Sequence, residues 1–130
     1  MKEKKTLKVD LFDGFYIYCD IIPMGKDYAL AVYGGDTPHI GSVIMSTVRP
    51  SLTGVGDGVT SSVINGIAHK DDIVGKLFAE AVALKAKCVV TCSCGVHMDD
   101  ISSEQIRIVK EKCAELLEMT LENVSSAEEK

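Results

Sequence analysis

The sequence predicts an α+β domain: a largely antiparallel β-sheet of about six strands with two helices packed on one face. Three observations predict it. Between residues 7 and 68, five short runs alternate apolar and polar residues and are separated by Gly, Pro and Asp turn signals. From residue 72 the apolar spacing changes to that of a helix. A last apolar, β-branched run then separates this helix from a second one.

The first strand is expected over residues 7–12, ending at the Asp13-Gly14 turn signal. Phe15 to Ile22 is the second, with Phe15, Ile17, Cys19 and Ile21 on one face. Pro23 to Asp27, with Gly25, turns the chain into a third strand, Tyr28 to Tyr33. Gly34-Gly35-Asp36-Thr37-Pro38 cannot continue a ladder and is read as a loop. Ile40 to Val48 and Val59 to Ala68 are the fourth and fifth strands, joined by Arg49 to Gly58 with its Pro50, Gly54, Gly56 and Gly58.

Ile73, Leu77, Ala81 and Leu84, with Val74 and Phe78, give a helical stripe over residues 72–87. Cys88 to Val96 is a buried strand. Ser102 and Gln105 have capping-box spacing. Behind them Ile106, Val109, Cys113, Leu116, Leu117 and Leu121 mark a long helix ending near Glu122 or Asn123. One domain over 1–130 is expected, with 1–6 and 124–130 as flexible ends.

The first five strands read as an antiparallel meander. The fifth and sixth flank a helix and are expected to run parallel as a βαβ unit. With both helices on one face, the other still carries Tyr16, Tyr18 and Ile22. A monomer seldom leaves such a face bare, which predicts a homodimer or another partner.

Charge and composition exclude several function classes. Hydrophobic residues make up 46% and charged residues 25%, with net charge −5. There is no basic stripe, so nucleic-acid binding is not expected. Lys8, Asp10 and Asp13 interrupt any leader-like apolar run after Lys2, Lys4 and Lys5, and no stretch is long enough to span a bilayer. A cytoplasmic protein with reduced thiols at Cys19, Cys88, Cys92, Cys94 and Cys113 is expected.

The candidate site is a histidine cluster. His69-Lys70-Asp71-Asp72-Ile73 and His97-Met98-Asp99-Asp100-Ile101 both read His-x-Asp-Asp-Ile, and both lie between a strand end and a helix start. The aspartates can be helix N-caps with no chemical role; histidine is not a preferred cap. If strands four and five form a hairpin turning near Gly54, facing residue numbers sum to about 108, which sets His39 opposite His69. If strands five and six are parallel, His97 joins them. Open sheets bind ligands beyond the carboxyl ends of parallel strands, here beside Gly34, Gly35, Gly41, Gly66 and Gly95.

Three chemistries fit. His39, His69 and His97 could hold zinc or another divalent ion, and Cys92-x-Cys94-x-x-His97 has ligand-like spacing, although cysteine is more often simply buried. A His–Asp pair could act in acid/base work. Glycine loops and helix starts could bind a cofactor, with Arg49, Lys70 and Lys76 as counter-charges and Tyr16, Tyr33 or Phe78 against a flat ring. Core packing is the plainer reading for the aromatics. No dinucleotide loop or P-loop is present, and Gly54-Val55-Gly56-Asp57-Gly58 lacks a following helix.

Three stretches carry a family resemblance: Gly35-Asp36-Thr37-Pro38-His39-Ile40-Gly41-Ser42-Val43, Ala68-His69-Lys70-Asp71-Asp72 and Gly95-Val96-His97-Met98-Asp99-Asp100-Ile101. With Arg49-Pro50-Ser51, the chain resembles the LpdD-like family over about residues 7–122. These are small D-subunit-like proteins associated with gallate-type and other UbiD-type aromatic acid decarboxylases. The resemblance implies a non-catalytic chaperone for prenylated FMN or FMN, a UbiD-type decarboxylase as partner, and a dimeric fold like the small proteasome-assembly chaperones. It sets the family's histidine motifs on His39, His69 and His97, with Lys70, Asp71, Asp72, Asp99 and Asp100 beside them; the cofactor site is expected at His39, His69, Lys70, Asp71, His97 and Asp99, with Arg49 as a counter-charge. Cys92-Ser93-Cys94 departs from the small apolar or glycine residues expected before the last motif. A metal-dependent enzyme using the three histidines, and a pure assembly factor gripping a partner, are the alternatives.

Overall fold

The computed structural model describes residues 3–66 and 72–126. Along the chain lie β1 (Lys5–Asp10), β2 (Tyr16–Met24), β3 (Asp27–Gly35), β4 (Ser42–Pro50), β5 (Asp57–Asn65), α1 (Asp72–Ala86), β6 (Val89–His97) and α2 (Ser103–Glu122). Every expected element is present. The end of the fifth expected strand, with His69, Lys70 and Asp71, lies outside the described residues.

Local chemistry sets the turns. Asp13 and Gly14 both have positive φ, 53° and 79°, and the Phe15 N–H donates to the Phe12 carbonyl at 3.0 Å. Positive φ at both central positions is the mirror-image turn whose twist suits a hairpin. Gly25, with φ 63°, opens the two-residue link between Met24 and Asp27. Ser102 caps α2: its side chain accepts from the Gln105 N–H at 3.1 Å, and the Gln105 side chain accepts from the Ser102 N–H at 3.0 Å.

The sheet order is β1-β2-β3-β6-β4-β5, antiparallel except for the β3–β6 pair. This corrects the expected meander. β3 and β4 are not neighbours, because β6 inserts between them. β5 and β6 do run in the same direction, but β4 lies between them. Side-chain character explains the placement. Val90, Cys92 and Cys94 are buried and the residues between them are half-buried, so β6 suits the centre. β5 carries Thr60, Ser61, Ser62 and Asn65 and is mostly exposed, which suits an edge. In the β4–β5 hairpin, Ser42 faces Asn65 and Thr47 faces Thr60, so facing numbers sum to 107, one less than expected.

Both helices cover one face. α1 packs on β4, β5 and β6, and α2 on β1 and β2. Ile17, Cys19, Ile21, Leu30, Val32, Ile44, Val90, Cys92, Phe78, Val82 and Leu116 fill the space between. The expected stripe on α1 is corrected. Ile73, Leu77 and Leu84 are exposed, while Gly75, Phe78, Ala79, Val82, Ala83 and Ala86 face the sheet. Small residues let the helix axis approach closely: a Cβ at Gly75 would stand 2.3 Å from Ile44 Cδ1. The packed chain extends to Val124, which is buried, and the Ser125 N–H donates to Tyr28 Oη at 3.1 Å.

The uncovered face carries a ring ladder. Tyr18 and Tyr33 stack with centroids 5.2 Å apart, Tyr16 follows at 6.1 Å from Tyr18, and Lys8 Nζ sits 4.7 Å from the Tyr16 centroid. Tyr33 Oη donates to Asp20 at 3.1 Å. Burial and the Asp20 carboxylate push the Tyr33 hydroxyl pKa up. Among the described residues, no helix is long and apolar enough to cross a membrane.

Candidate functional site

The strand order builds the site. Because β6 separates β3 from β4, the link from Gly35 to Ser42 must cross the end of β6, about 10 Å at the usual strand spacing. That end is the carboxyl edge of the parallel β3–β6 pair, where open sheets receive ligands. The crossing residues therefore meet Gly95, Val96 and His97.

The crossing is tight and needs glycine. A Cβ at Gly95 would stand 1.8 Å from the His39 carbonyl oxygen. Gly35, with φ 83°, would bring a Cβ within 2.0 Å of the His97 carbonyl oxygen. Backbone bonds hold the crossing: the Asp36 N–H donates to the His97 carbonyl at 2.9 Å and the Gly41 N–H to the Cys94 carbonyl at 2.9 Å.

His39 and His97 come together at this edge. Their ring centroids are 6.1 Å apart and the planes meet at 82°. His39 Nδ1 lies 3.1 Å from the Thr37 carbonyl oxygen. A carbonyl only accepts, so Nδ1 holds the proton and Nε2 is the lone-pair nitrogen of the neutral ring. His97 Nε2 is 2.8 Å from Asp99 Oδ1, and the Asp99 N–H donates to Asp36 Oδ2 at 2.9 Å. That N–H, then the Thr37 hydroxyl at 2.9 Å and nearby His97, hold the Asp36 carboxyl below its usual pKa.

Asp99 is thus not a helix cap, since Ser102 fills that role; it orients an imidazole. Asp100 has φ 52° and is exposed. Asp36 was not singled out as a site residue from the sequence. The signal was there, as the one acid in the Gly34–His39 loop, but its importance depends on β6 lying beneath that loop.

Other candidates lie elsewhere. Arg49 is at the far end of β4, where it donates to Thr60 and to the Pro50 carbonyl. The structure does not bring it to the histidines. Phe78 is fully buried, so it is not a surface for a flat ring. Cys92 and Cys94 face the helices and are buried, whereas His97 has the parity of Thr91, Ser93 and Gly95 on the opposite face. The Cys-x-Cys-x-x-His spacing therefore does not assemble a ligand set. Burial pushes the Cys92 thiol pKa strongly up, which keeps it protonated.

A family profile described as "Prenylated flavin chaperone LpdD-like domain" matches residues 12–125. Protein LpdD of Lactiplantibacillus plantarum (strain ATCC BAA-793 / NCIMB 8826 / WCFS1) is 28% identical over 95 residues, 72% of this chain and 65% of that protein. The chain thus spans a little under two thirds of that relative. The solved structure titled "Crystal Structure of a Novel Chaperone Complex for Yeast 20S Proteasome Assembly" superposes with a TM-score of 0.50 at 12% identity, covering 88% of this chain and 98% of that one. That likeness is one of fold: a mostly antiparallel six-stranded sheet with two helices. The match over residues 12–125 settles the family: this chain belongs to the prenylated flavin chaperone LpdD-like proteins.

Proposed function

We propose that the chain is a non-catalytic chaperone for prenylated FMN that seats the cofactor at the β3–β6 edge and passes it to a UbiD-type decarboxylase. The observation that carries the reading is the convergence of His39 and His97, with rings 6.1 Å apart, on the glycine-lined carboxyl edge of the parallel pair. The family match supports prenylated flavin as the cofactor class.

The residues fit such a group in part. Two imidazoles offer flat surfaces and N–H donors, and Asp99 holds one of them in orientation. His69, Lys70 and Asp71 belong to the same proposed seat through their sequence motif, and Arg49 does not. Asp36 and Asp99 place negative charge where a phosphate would have to come, so the ring system is the better match for this edge. When bound, the flavin supplies the chemistry of the client enzyme; this chain binds, orients and releases it.

The test is activation of an apo-decarboxylase of the UbiD type with prenylated FMN, with and without the chain. Higher activation yield with the chain, and loss of that gain in His39→Ala/His97→Ala, is expected. An unchanged yield overturns the reading.

The Tyr16–Tyr18–Tyr33 face supports a second element of the proposal, a homodimer formed through the uncovered side of the sheet. Light scattering on the purified chain should give twice the chain mass, and Tyr18→Glu should shift it toward the monomer.

A further inference from the structure

Asp36 comes from the crossing loop, His97 from the end of β6 and Asp99 from the segment after it, yet each presents a ligand-type atom within 4.8 Å of the others. Asp36 and Asp99 alone would be an ordinary pair of surface acids. Two histidine observations separate this cluster from that.

His97 already shares a proton with Asp99 across 2.8 Å. A metal ion is a chemically equivalent bridge between an imidazole nitrogen and a carboxylate oxygen once that proton leaves. His39, from the crossing loop, provides the second. Its proton is fixed on Nδ1 by the Thr37 carbonyl, the outer-sphere arrangement that orients metal-ligating histidines and makes Nε2 the donor atom. With metal–nitrogen bonds of about 2.0 Å, two imidazoles on one ion have centroids roughly 5–6 Å apart. The His39 and His97 centroids are 6.1 Å apart, just beyond that range, so His39 must move slightly inward to share an ion with His97.

We propose that Asp36, His97 and Asp99 form the core of a binding site for one divalent transition-metal ion of the zinc or manganese class, and that His39, which lies outside that three-residue group, closes on the ion as a fourth ligand. Two imidazoles and two carboxylates suit such borderline ions, and four donors leave room for an exchangeable ligand. This ligand set differs from a three-histidine site, since both carboxylates take part. The ion also neutralises the two carboxylates of an edge that otherwise repels phosphate. That last consequence rests on the flavin reading; the ion binding does not.

The test uses the full, untagged chain, stripped with chelator and titrated with cobalt(II) in the absence of flavin. One cobalt per chain is expected, with a visible spectrum of nitrogen and oxygen ligation. Asp99→Ala keeps the backbone N–H that holds Asp36, so the loop scaffold survives while one ligand is lost. It should weaken binding at least tenfold, as should His97→Gln, with unchanged circular dichroism. Asp100→Asn should bind like the parent. No saturable binding, equal affinity in Asp99→Ala and His97→Gln, or a thiolate-to-cobalt charge-transfer band would each overturn the proposal. Because no flavin is present, failure here leaves the chaperone reading untouched, and the decarboxylase assay fails or succeeds separately.

Discussion

The α-carbon of Gly95 lies directly beneath the carbonyl oxygen of His39, so close that a single methyl group would stand 1.8 Å from it. Two backbones touch there with no side chain between them. That contact holds the backbone of the crossing loop against β6.

Gly95→Ala is therefore expected to destabilise the protein by about 3 kcal/mol, the upper part of the usual overpacking range, because a backbone oxygen cannot swing aside as a side-chain tip can. Urea denaturation measures it. The variant should also weaken the cobalt(II) binding proposed for the histidine edge even where it remains folded.

Gly75 and Ile44 form a pair that separates propensity from packing. Alanine in place of a helical glycine would ordinarily gain up to about 1 kcal/mol. Here its Cβ would stand 2.3 Å from the fully buried Ile44 Cδ1 and 3.2 Å from Cys94 Cβ. Gly75→Ala alone should destabilise by about 1–2 kcal/mol. Combined with Ile44→Val, which removes the opposing methyl, it should be more stable than the sum of the two single changes, as a double-mutant cycle would show.

The buried thiols predict an alkaline limit. Burial raises Cys19 and Cys113 from 9.0 to about 11. In the unfolded chain these thiols ionise first, so between those values the unfolded state binds fewer protons and stability falls as pH rises. Below pH 9 these groups add no slope. Each shift amounts to roughly 3 kcal/mol by the top of the window. Thermal melts from pH 8 to 11 should show the decline, and Cys113→Ser should soften it. At neutral pH, thiol reagents should modify none of the five buried cysteines before the chain unfolds.

Ser102→Ala removes one half of the reciprocal cap on α2 and should cost about 1 kcal/mol. Restoring an acceptor with Ser102→Asp should recover most of it, read from the same denaturation curves.

Much of the molecule was legible in its sequence where the deciding chemistry is local. The Asp13-Gly14 turn, the Ser102–Gln105 cap and both helices follow from neighbours a few positions apart. What was not legible is long-range. Nothing near Val89–His97 states that it will slide between β3 and β4; only the contest among all strands for a central place decides that. The inward face of α1 is not legible either, because Gly75, Ala79, Ala83 and Ala86 contribute little to an apolar pattern, whereas the exposed Ile73, Leu77 and Leu84 dominate it. His39 and His97 were foreseen as neighbours through a pairing of β5 with β6 that the structure does not contain. They meet instead because a loop must bridge β6, and the same bridging brings in Asp36, which no local pattern marked.

The strand that completes the sheet is the last one the ribosome delivers. Without Val89–His97, β3 and β4 have no strand between them, and the bridging loop has nothing to lie on. A chain cut before Val89 therefore lacks the ledge on which His39 and His97 meet, even with its hairpins intact in sequence.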